Sequence, residues 1–260
     1  MVDINEKSVA GLYNKVPAIT LVFWLIKVMA TTVGETAADL LSETLKLGLV
    51  VTSWVMAALL VVTLIVQFRA KKYVPVIYWI VVVFISVVGT LISDNLVDNM
   101  GISLITTSII FAIALAIVFI AWYAVEKTLS VHTIYTTRRE LFYWAAILFT
   151  FSLGTSAGDL LSERLGLGYA LSAVMFAAAI AVIVVAYRLG MNGVLAFWAA
   201  YILTRPLGAS VGDLLTQSKA DGGLGLGTIP TSLVFLVIIV GLVIHLTLQE
   251  KKHPLQPATG

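Results

Sequence analysis

Eight long apolar runs, separated by short polar connectors, dominate the chain. They cover residues 16–41, 48–67, 74–95, 102–123, 141–161, 168–187, 192–215 and 228–247. Each run is long enough to cross the hydrocarbon core of a bilayer as an α-helix, which takes about 20 residues. The runs lack the alternation of barrel strands, and a helix satisfies its own backbone hydrogen bonds in lipid. The pattern therefore predicts an all-α, polytopic membrane protein with eight transmembrane helices.

The runs form four tandem pairs, because the first run of each pair repeats one set of spaced residues. A tryptophan is followed ten residues later by a glycine, and five residues after that by an aspartate. The sets are Trp24, Gly34 and Asp39; Trp79, Gly89 and Asp94; Trp144, Gly154 and Asp159; and Trp198, Gly208 and Asp213. We predict one transmembrane domain, 16–247, made of two-helix repeats at about 16–70, 71–130, 137–190 and 191–247. Two spans per repeat imply that all four repeats point the same way, which is parallel pseudo-symmetry.

Polar residues of the odd-numbered runs fall on one helical face. A helix turns about 100° per residue, so the third, seventh, eleventh and fifteenth positions after each tryptophan lie close together. In the first repeat these positions hold Lys27, Thr31, Glu35 and Asp39. A lipid-facing helix does not tolerate such a stripe. We therefore expect the odd helices to line a central interior and the even helices to form an apolar jacket around them.

The distribution of positive charge predicts the orientation in the membrane. Eleven lysines and arginines flank the spans on the side of the two termini, and only Lys46, Arg164 and Lys219 lie on the other side. Positive charge collects in cytoplasmic segments. Both the leader, 1–15, and the tail, 248–260, are therefore expected in the cytoplasm, with the aspartates toward the external ends of the odd helices. The leader has acidic residues and no cleavage site, so it does not read as a cleaved signal peptide.

Composition excludes several function classes. With 60% hydrophobic and 12% charged residues, the chain needs the lipid bilayer as its solvent. It has no cysteine, which excludes thiol chemistry and thiolate metal sites. His132, His245 and His253 lie in polar segments or at the end of the last run, which argues against zinc or copper sites. Without a nucleophile–base pair, an HExxH motif or a phosphate loop, we expect no cofactor, no nucleic-acid partner and no enzymatic activity.

The four aspartates are the main candidates for a functional site. A carboxylate inside a membrane is expensive and usually has a function, although an aspartate can also cap a helix end or pair at the interface. We interpret Asp39, Asp94, Asp159 and Asp213 as one ion-binding layer, because their offsets from tryptophan and glycine are identical.

The first repeat departs from the others at the position one turn before the aspartate. It has Glu35 there, where the second and third repeats have Thr90 and Thr155, and we include all three among the ion-binding residues. Glu35 and Asp39 share a helical face and are expected to hold a shared proton when no cation is bound. Together with Asp159, they are the predicted ligands of a metal ion.

Lys27 and Arg205 are the only cations inside the predicted spans. We interpret them as counter-charges for the carboxylates, which also suits a coupling role in which they neutralise an empty site. The glycines have small-xxx-small spacing, which favours close helix packing; a locally opened helix facing a ligand is the alternative. The tryptophans favour packing or interface anchoring over ligand contact.

Four tandem units of two membrane helices, each with a marked tryptophan, resemble the bacterial DUF347 repeat family of membrane proteins. The resemblance extends from about Val16 to His245 and rests on the four tryptophans and the four G-x4-D elements. It implies eight helices and a place in the inner membrane of a bacterium. It implies no activity, because the repeat is named for its unknown function.

Three functions compete. The first is a transporter of a small cation, with a proton-coupled divalent metal ion such as Mn²⁺ favoured, because oxygen ligands suit hard ions. The second is a transporter or channel for a cationic organic solute held by carboxylates and tryptophans. The third is a scaffold or sensor without transport, which the short soluble segments disfavour. The ion, the direction of transport and the oligomeric state are left open by the sequence.

Overall fold

The structure of the protein, a computed structural model, describes residues 13–252. Residues 1–12 of the predicted leader and 253–260 of the predicted tail lie outside the described residues. The described part contains eight long helices and no strand: α1 (Leu21–Asp39), α2 (Leu49–Arg69), α3 (Pro75–Asp94), α4 (Leu104–Glu126), α5 (Thr137–Asp159), α6 (Tyr169–Arg188), α7 (Gly193–Thr216) and α8 (Thr228–Lys252). All eight are long and apolar enough to cross a membrane, which confirms the predicted architecture.

Helix capping explains where the structure departs from the predicted boundaries. The first run was expected from residue 16, but α1 begins at Leu21, because the Thr20 hydroxyl accepts a hydrogen bond from the first turn (3.3 Å). Similarly, α5 begins at Thr137 instead of residue 141, because Thr136 caps it in the same way (3.3 Å). The last helix continues to Lys252, so the described part of the predicted tail is helical.

The four odd helices form a closed inner ring. Helix α1 packs against α3 and α7, and α5 packs against the same two helices from the other side. In the most apolar stretches of these four helices 61–67% of the residues are buried, against 17–22% in the even helices. The even helices are thus the apolar jacket that the sequence predicts, and the odd helices are the core.

Each even helix covers the following repeat rather than its own. Helix α2 packs on α3, α4 on α5, and α6 on α7, while α8 returns to pack on α1. Every repeat therefore buries its apolar face against the next, and the fourth repeat closes the ring by covering the first. An isolated repeat has no following repeat for its even helix to cover, so the apolar faces are buried only when all four repeats are present.

Close contacts at the repeated glycines set the width of the ring. Each glycine faces the residue seven positions after the tryptophan of the next repeat: Gly34 faces Ser86, Gly89 faces Phe151, Gly154 faces Arg205 and Gly208 faces Thr31. A Cβ atom added to any of the four would overlap the facing residue. Because the same glycine contact joins each repeat to the next around the ring, the four repeats are related in parallel, as predicted. The helices stay α-helical through these glycines, so close packing, and not local opening of the helix, is their role here.

Three of the four inner helices leave α-helical geometry directly after the aspartate. The π-helical turns Leu40–Thr44, Asn95–Asn99 and Leu160–Arg164 follow α1, α3 and α5. By contrast, α7 continues as an α-helix past Asp213 to Thr216 and carries Pro206 in its interior. Single π turns are rare and frequently mark functional sites. They single out the aspartate end of the ring and set α7 apart from the other inner helices.

Candidate ion-binding site

Side chains from equivalent positions of the repeats fill the inside of the ring in layers. The position three residues after the tryptophans contributes Lys27, Val82, Ile147 and Tyr201. The next layers are Thr31, Ser86, Phe151 and Arg205, and then Glu35, Thr90, Thr155 and Ala209. All twelve side chains are buried, whereas three of the four aspartates in the following layer are only half-buried. The interior is therefore closed at depth and opens toward the aspartates.

Three carboxylates from three repeats meet at this opening. Glu35, Asp159 and Asp213 each place one carboxylate oxygen within 4.8 Å of the other two. Glu35 and Asp213 are buried and Asp159 is half-buried. We call this group the carboxylate cluster. Oxygens at this separation can ligate one cation together, since hard divalent ions bind oxygen at about 2.0–2.6 Å.

The cluster differs from the predicted metal-binding set in one member. The sequence predicts Glu35, Asp39 and Asp159, but in the structure Asp213 joins Glu35 and Asp159. The close packing of α7 on α1 explains the difference: a Cβ atom at Gly208 would overlap Thr31, so α7 needs a glycine there to approach α1. This packing brings Asp213 of α7 beside Glu35 of α1. Asp39 and Asp94 stay at the corresponding half-buried places of α1 and α3, outside the cluster.

Arg205 lies directly beneath the cluster and contacts one of its members. Its Nη2 donates to Glu35 Oε2 at 2.8 Å and to Thr155 Oγ1 at 2.7 Å, and it also donates to Thr90 Oγ1. The Thr155 hydroxyl donates to the carbonyl of Phe151 (3.3 Å), so its oxygen is free to accept from the guanidinium. This is the counter-charge arrangement predicted for Arg205, with the two predicted threonines beside it.

Lys27 is placed differently from Arg205. Its side chain is fully buried, and its Nζ has no hydrogen-bond partner among the described residues. The ammonium instead lies 4.3 Å from the ring centroid of Tyr201 and 4.5 Å from that of Phe151. Aromatic faces attract a cation by about 2 kcal/mol or more once water is removed. Lys27 was predicted as a counter-charge for a carboxylate, and within the described chain it contacts two aromatic rings and forms no ion pair.

The tryptophans lie at the opposite end of the ring from the aspartates. Each one packs against the residue that precedes the tryptophan of the repeat before it: Trp79 on Phe23, Trp144 on Tyr78, Trp198 on Tyr143 and Trp24 on Phe197, with ring centroids 5.4–6.2 Å apart. Trp79, Trp144 and Trp198 are buried and Trp24 is half-buried. These eight rings, which we call the aromatic layer, close this end of the interior.

A buried polar network beside the aromatic layer has no counterpart in the sequence prediction. Glu140 is fully buried and accepts from Lys15 Nζ (2.6 Å), from Gln67 Nε2 (2.9 Å) and from Trp144 Nε1 (3.5 Å). Nearby, the hydroxyls of two buried tyrosines, Tyr78 and Tyr143, are 2.5 Å apart. The sequence assigns Lys15 to the leader and Glu140 to a polar connector. Only the position of Glu140, one turn before Trp144 on the inner face, would have suggested its burial.

Comparison with known families identifies the repeats. A family model described as "Repeat of Unknown Function (DUF347)" matches residues 22–73, 77–128, 142–189 and 196–252. The four matches follow one another along most of the chain, and the chain therefore belongs to the DUF347 repeat family. Comparison with curated proteins and with solved structures finds no match.

Proposed function

We propose that this member of the DUF347 repeat family is a transporter of a small cation, and that its favoured substrate is a proton-coupled divalent metal ion such as Mn²⁺. The observation that carries the proposal is the carboxylate cluster of Glu35, Asp159 and Asp213, whose oxygens lie within 4.8 Å of one another at the open end of a membrane-spanning ring. Three acids held together in an apolar protein cost stability, and a bound cation removes that cost.

The chemistry of the cluster favours a hard divalent ion. Its ligand atoms are carboxylate oxygens, the hydroxyls of Thr90 and Thr155 lie in the same layer as Glu35, and the chain has no cysteine to supply a soft ligand. Two or three carboxylates match the double charge of a divalent ion better than the single charge of a monovalent ion. Mg²⁺ loses its water reluctantly and usually keeps several water ligands, which favours Mn²⁺ at a site built from protein oxygens.

Proton coupling follows from crowding in the empty cluster. Neighbouring carboxylates in a site of low dielectric constant do not all stay ionised without a cation, so the cluster holds at least one proton between its members. Entry of a divalent ion expels that proton, which gives exchange of the ion for H⁺. The sequence assigns the shared proton to Glu35 and Asp39; in the structure Glu35 pairs with Arg205 at 2.8 Å, which supports Asp159 and Asp213 as the residues that share the proton.

The two ends of the ring support transport by alternating access. The half-buried aspartates give the cluster an open side, and the aromatic layer closes the other end. With the termini in the cytoplasm of a bacterial cell, as the positive charges predict, the cluster faces outward and the aromatic layer must part to release the ion inward. A cationic organic solute is the weaker alternative, because the tryptophans that would enclose it lie at the opposite end from the carboxylates.

Ion uptake into proteoliposomes tests this proposal. We expect Asp213→Asn and Asp159→Asn to lower the initial rate of Mn²⁺ uptake at least about tenfold, because each removes a charge-bearing ligand worth more than about 1.4 kcal/mol. The matched control is Asp98→Asn, an exposed acid one turn beyond Asp94, which should transport at the wild-type rate. Wild-type rates with unchanged pH dependence in both cluster variants would contradict the proposal.

A further inference from the structure

Arg205 sits in a cage of oxygens that is assembled from three repeats. Its Nη2 lies within hydrogen-bond distance of Glu35 Oε2, Thr90 Oγ1 and Thr155 Oγ1. The three residues occupy the same position, eleven residues after the tryptophan, in the first, second and third repeats. We call them the Arg205 cage. Ala209 has this position in the fourth repeat, so the repeat that supplies the arginine supplies no oxygen.

The hydrogen bonds of this guanidinium are unevenly distributed. One Nη nitrogen carries two N–H groups, yet three oxygens surround Nη2. Nε and Nη1 have no partner among the described residues, although the Arg205 side chain is fully buried. A site that recognises a guanidinium usually binds two of its nitrogens in one plane. Here three oxygens converge on one nitrogen, which is how oxygen ligands surround a small inorganic cation.

Arg205 is carried on a turn of α7 that packs closely on α5 and contains a proline. Its Cβ and Cγ pass over Gly154, where any side chain would block them. The next residue, Pro206, cannot donate a backbone hydrogen bond and weakens the helix at this point. On either side of the proline, the hydroxyls of Thr31 and Thr32 of α1 lie 3.3 Å from the Thr204 carbonyl and 3.1 Å from the Gly208 carbonyl, although both also reach the Val28 carbonyl of their own helix. Helix α7 thus contacts α1 on both sides of the weakened turn that carries the arginine.

We propose that Arg205 is a tethered substitute for a cation, and that the Arg205 cage is a second, inner binding site for a small inorganic cation. This inference rests on the proposed function. In the empty protein the guanidinium fills the cage and neutralises Glu35. A cation that arrives at the carboxylate cluster competes with Arg205 for Glu35, and once Arg205 withdraws, the cation can move inward among the same three oxygens.

If Arg205 competes with cations, its removal should increase cation binding. If Arg205 is only structural, its removal should decrease cation binding. If Arg205 occupies a cation site, its loss vacates that site and small cations bind there. If Arg205 only holds Glu35 in place, its loss disorders the cage and cations bind less well. Arg205→Met retains a long unbranched side chain but removes every donor. Lys27→Met is the matched control, because it removes one buried charge from a side chain that contacts no cage oxygen.

The experiment measures thermal unfolding of the purified full-length variants in detergent, in 150 mM NaCl and in choline chloride of equal ionic strength. We expect the melting temperature of Arg205→Met to be higher in NaCl by about 3 °C or more, because a ligand that binds only the folded state stabilises it. Wild type and Lys27→Met should differ by less than about 1 °C between the two salts. Arg205→Met purified in NaCl that unfolds on exchange into choline chloride also supports the proposal; equal stability in both salts, or instability in both, overturns it.

Restoring the charge chemically provides a second readout. The chain has no cysteine, so Arg205→Cys gives a single thiol. Modification with an aminoethyl methanethiosulfonate reagent adds an ammonium that is as many bonds from Cβ as the Nη atoms of arginine. This product should lose the sodium dependence, and a methyl disulfide at the same position should keep it. Sodium dependence that persists in the ammonium product overturns the proposal.

These measurements need no transport and separate the two proposals. If the sodium effect is found but wild type moves no cation in proteoliposomes, the cage binds cations and the transport function is wrong. If wild type transports Mn²⁺ but Arg205→Met shows no sodium effect, the transport proposal stands and Arg205 is a structural counter-charge.

Discussion

The two ends of the inner ring are built from the same four repeats but use them differently. At the aromatic layer every repeat contributes an equivalent pair of rings, and each tryptophan packs on the preceding repeat in the same way. At the aspartate end the repeats also supply equivalent aspartates, but Glu35, Arg205 and a helix that stays α-helical past its aspartate, α7, each occur once. Symmetric positions close and pack the ring, and the charged contacts lie where the symmetry is broken.

The two ends also differ in what they contribute: the aromatic layer contributes stability, and the aspartate end contributes the candidate binding site. The aromatic layer buries large side chains in contact with one another, which stabilises the fold. The aspartate end holds several acids, and within the described chain Arg205 contacts one of them, Glu35; such an excess of acids costs stability and is typical of a binding site. Substitutions at the two ends should therefore change stability in opposite directions.

The largest effect is expected at the aromatic layer. Trp79→Ala should lower the free energy of unfolding by about 3–5 kcal/mol, because the Trp79 side chain is only 2% exposed and its loss leaves a large cavity. Trp54→Ala is the control, since Trp54 is 75% exposed on the outer surface of α2 and should change stability by less than about 1 kcal/mol. Unfolding in a mild detergent, followed by intrinsic fluorescence, measures both. Equal effects would mean that the aromatic layer does not stabilise the ring.

A smaller but still large effect is expected at the ring contacts. Gly34→Ala should destabilise the protein by about 2–3 kcal/mol, since the new Cβ atom would overlap Ser86 and lie only 3.0 Å from its backbone. Gly241→Ala on α8 introduces the same methyl group where nothing lies within 4 Å. Because alanine is the better helix former, this control should be neutral or slightly stabilising, by up to about 1 kcal/mol. A Gly34→Ala protein as stable as the Gly241→Ala protein would refute the close packing of α1 and α3.

The smallest effect, with the opposite sign, is expected at the cluster. Asp159→Asn removes one of three crowded carboxylates and should raise the free energy of unfolding of the metal-free protein by about 1 kcal/mol at neutral pH. The same variant should lose most of the thermal stabilisation that Mn²⁺ gives to wild type. Unfolding with and without Mn²⁺ measures both quantities. If Asp159→Asn destabilises the metal-free protein by as much as Trp79→Ala does, the cluster is part of the packing.

Periodicity alone predicts the layered interior but not the contacts within it. The offsets of Thr90 and Thr155 from their tryptophans place both on the inner face, where they are found. Which aspartates meet Glu35 depends on how closely α7 approaches α1, and this depends on a contact between two repeats, that of Gly208 with Thr31. The π turns are equally hidden, because the predicted runs end at residues 41 and 161 and nothing in LLSET or LLSER indicates π-helical geometry.

The contact partners of the two buried cationic side chains could not be predicted from the sequence either. Lys27 and Arg205 stand at neighbouring depths, and nothing local separates them, yet one contacts two aromatic rings and the other contacts Glu35. The difference arises from the facing helices: Phe151 and Tyr201 surround the lysine, and the threonines of α3 and α5 surround the arginine. Such partners are set by the order of the helices in the ring, which a single sequence does not contain.

The most direct test of the central claim is to locate a bound ion. Crystals of the protein soaked in Mn²⁺ should give an anomalous difference peak between the carboxylates of Glu35, Asp159 and Asp213, at about 2.1–2.3 Å from an oxygen of each. The peak should be absent from Asp213→Asn crystals treated in the same way. Wild-type crystals with no anomalous peak at the cluster, or with Mn²⁺ only at exposed acids such as Asp98, would contradict it.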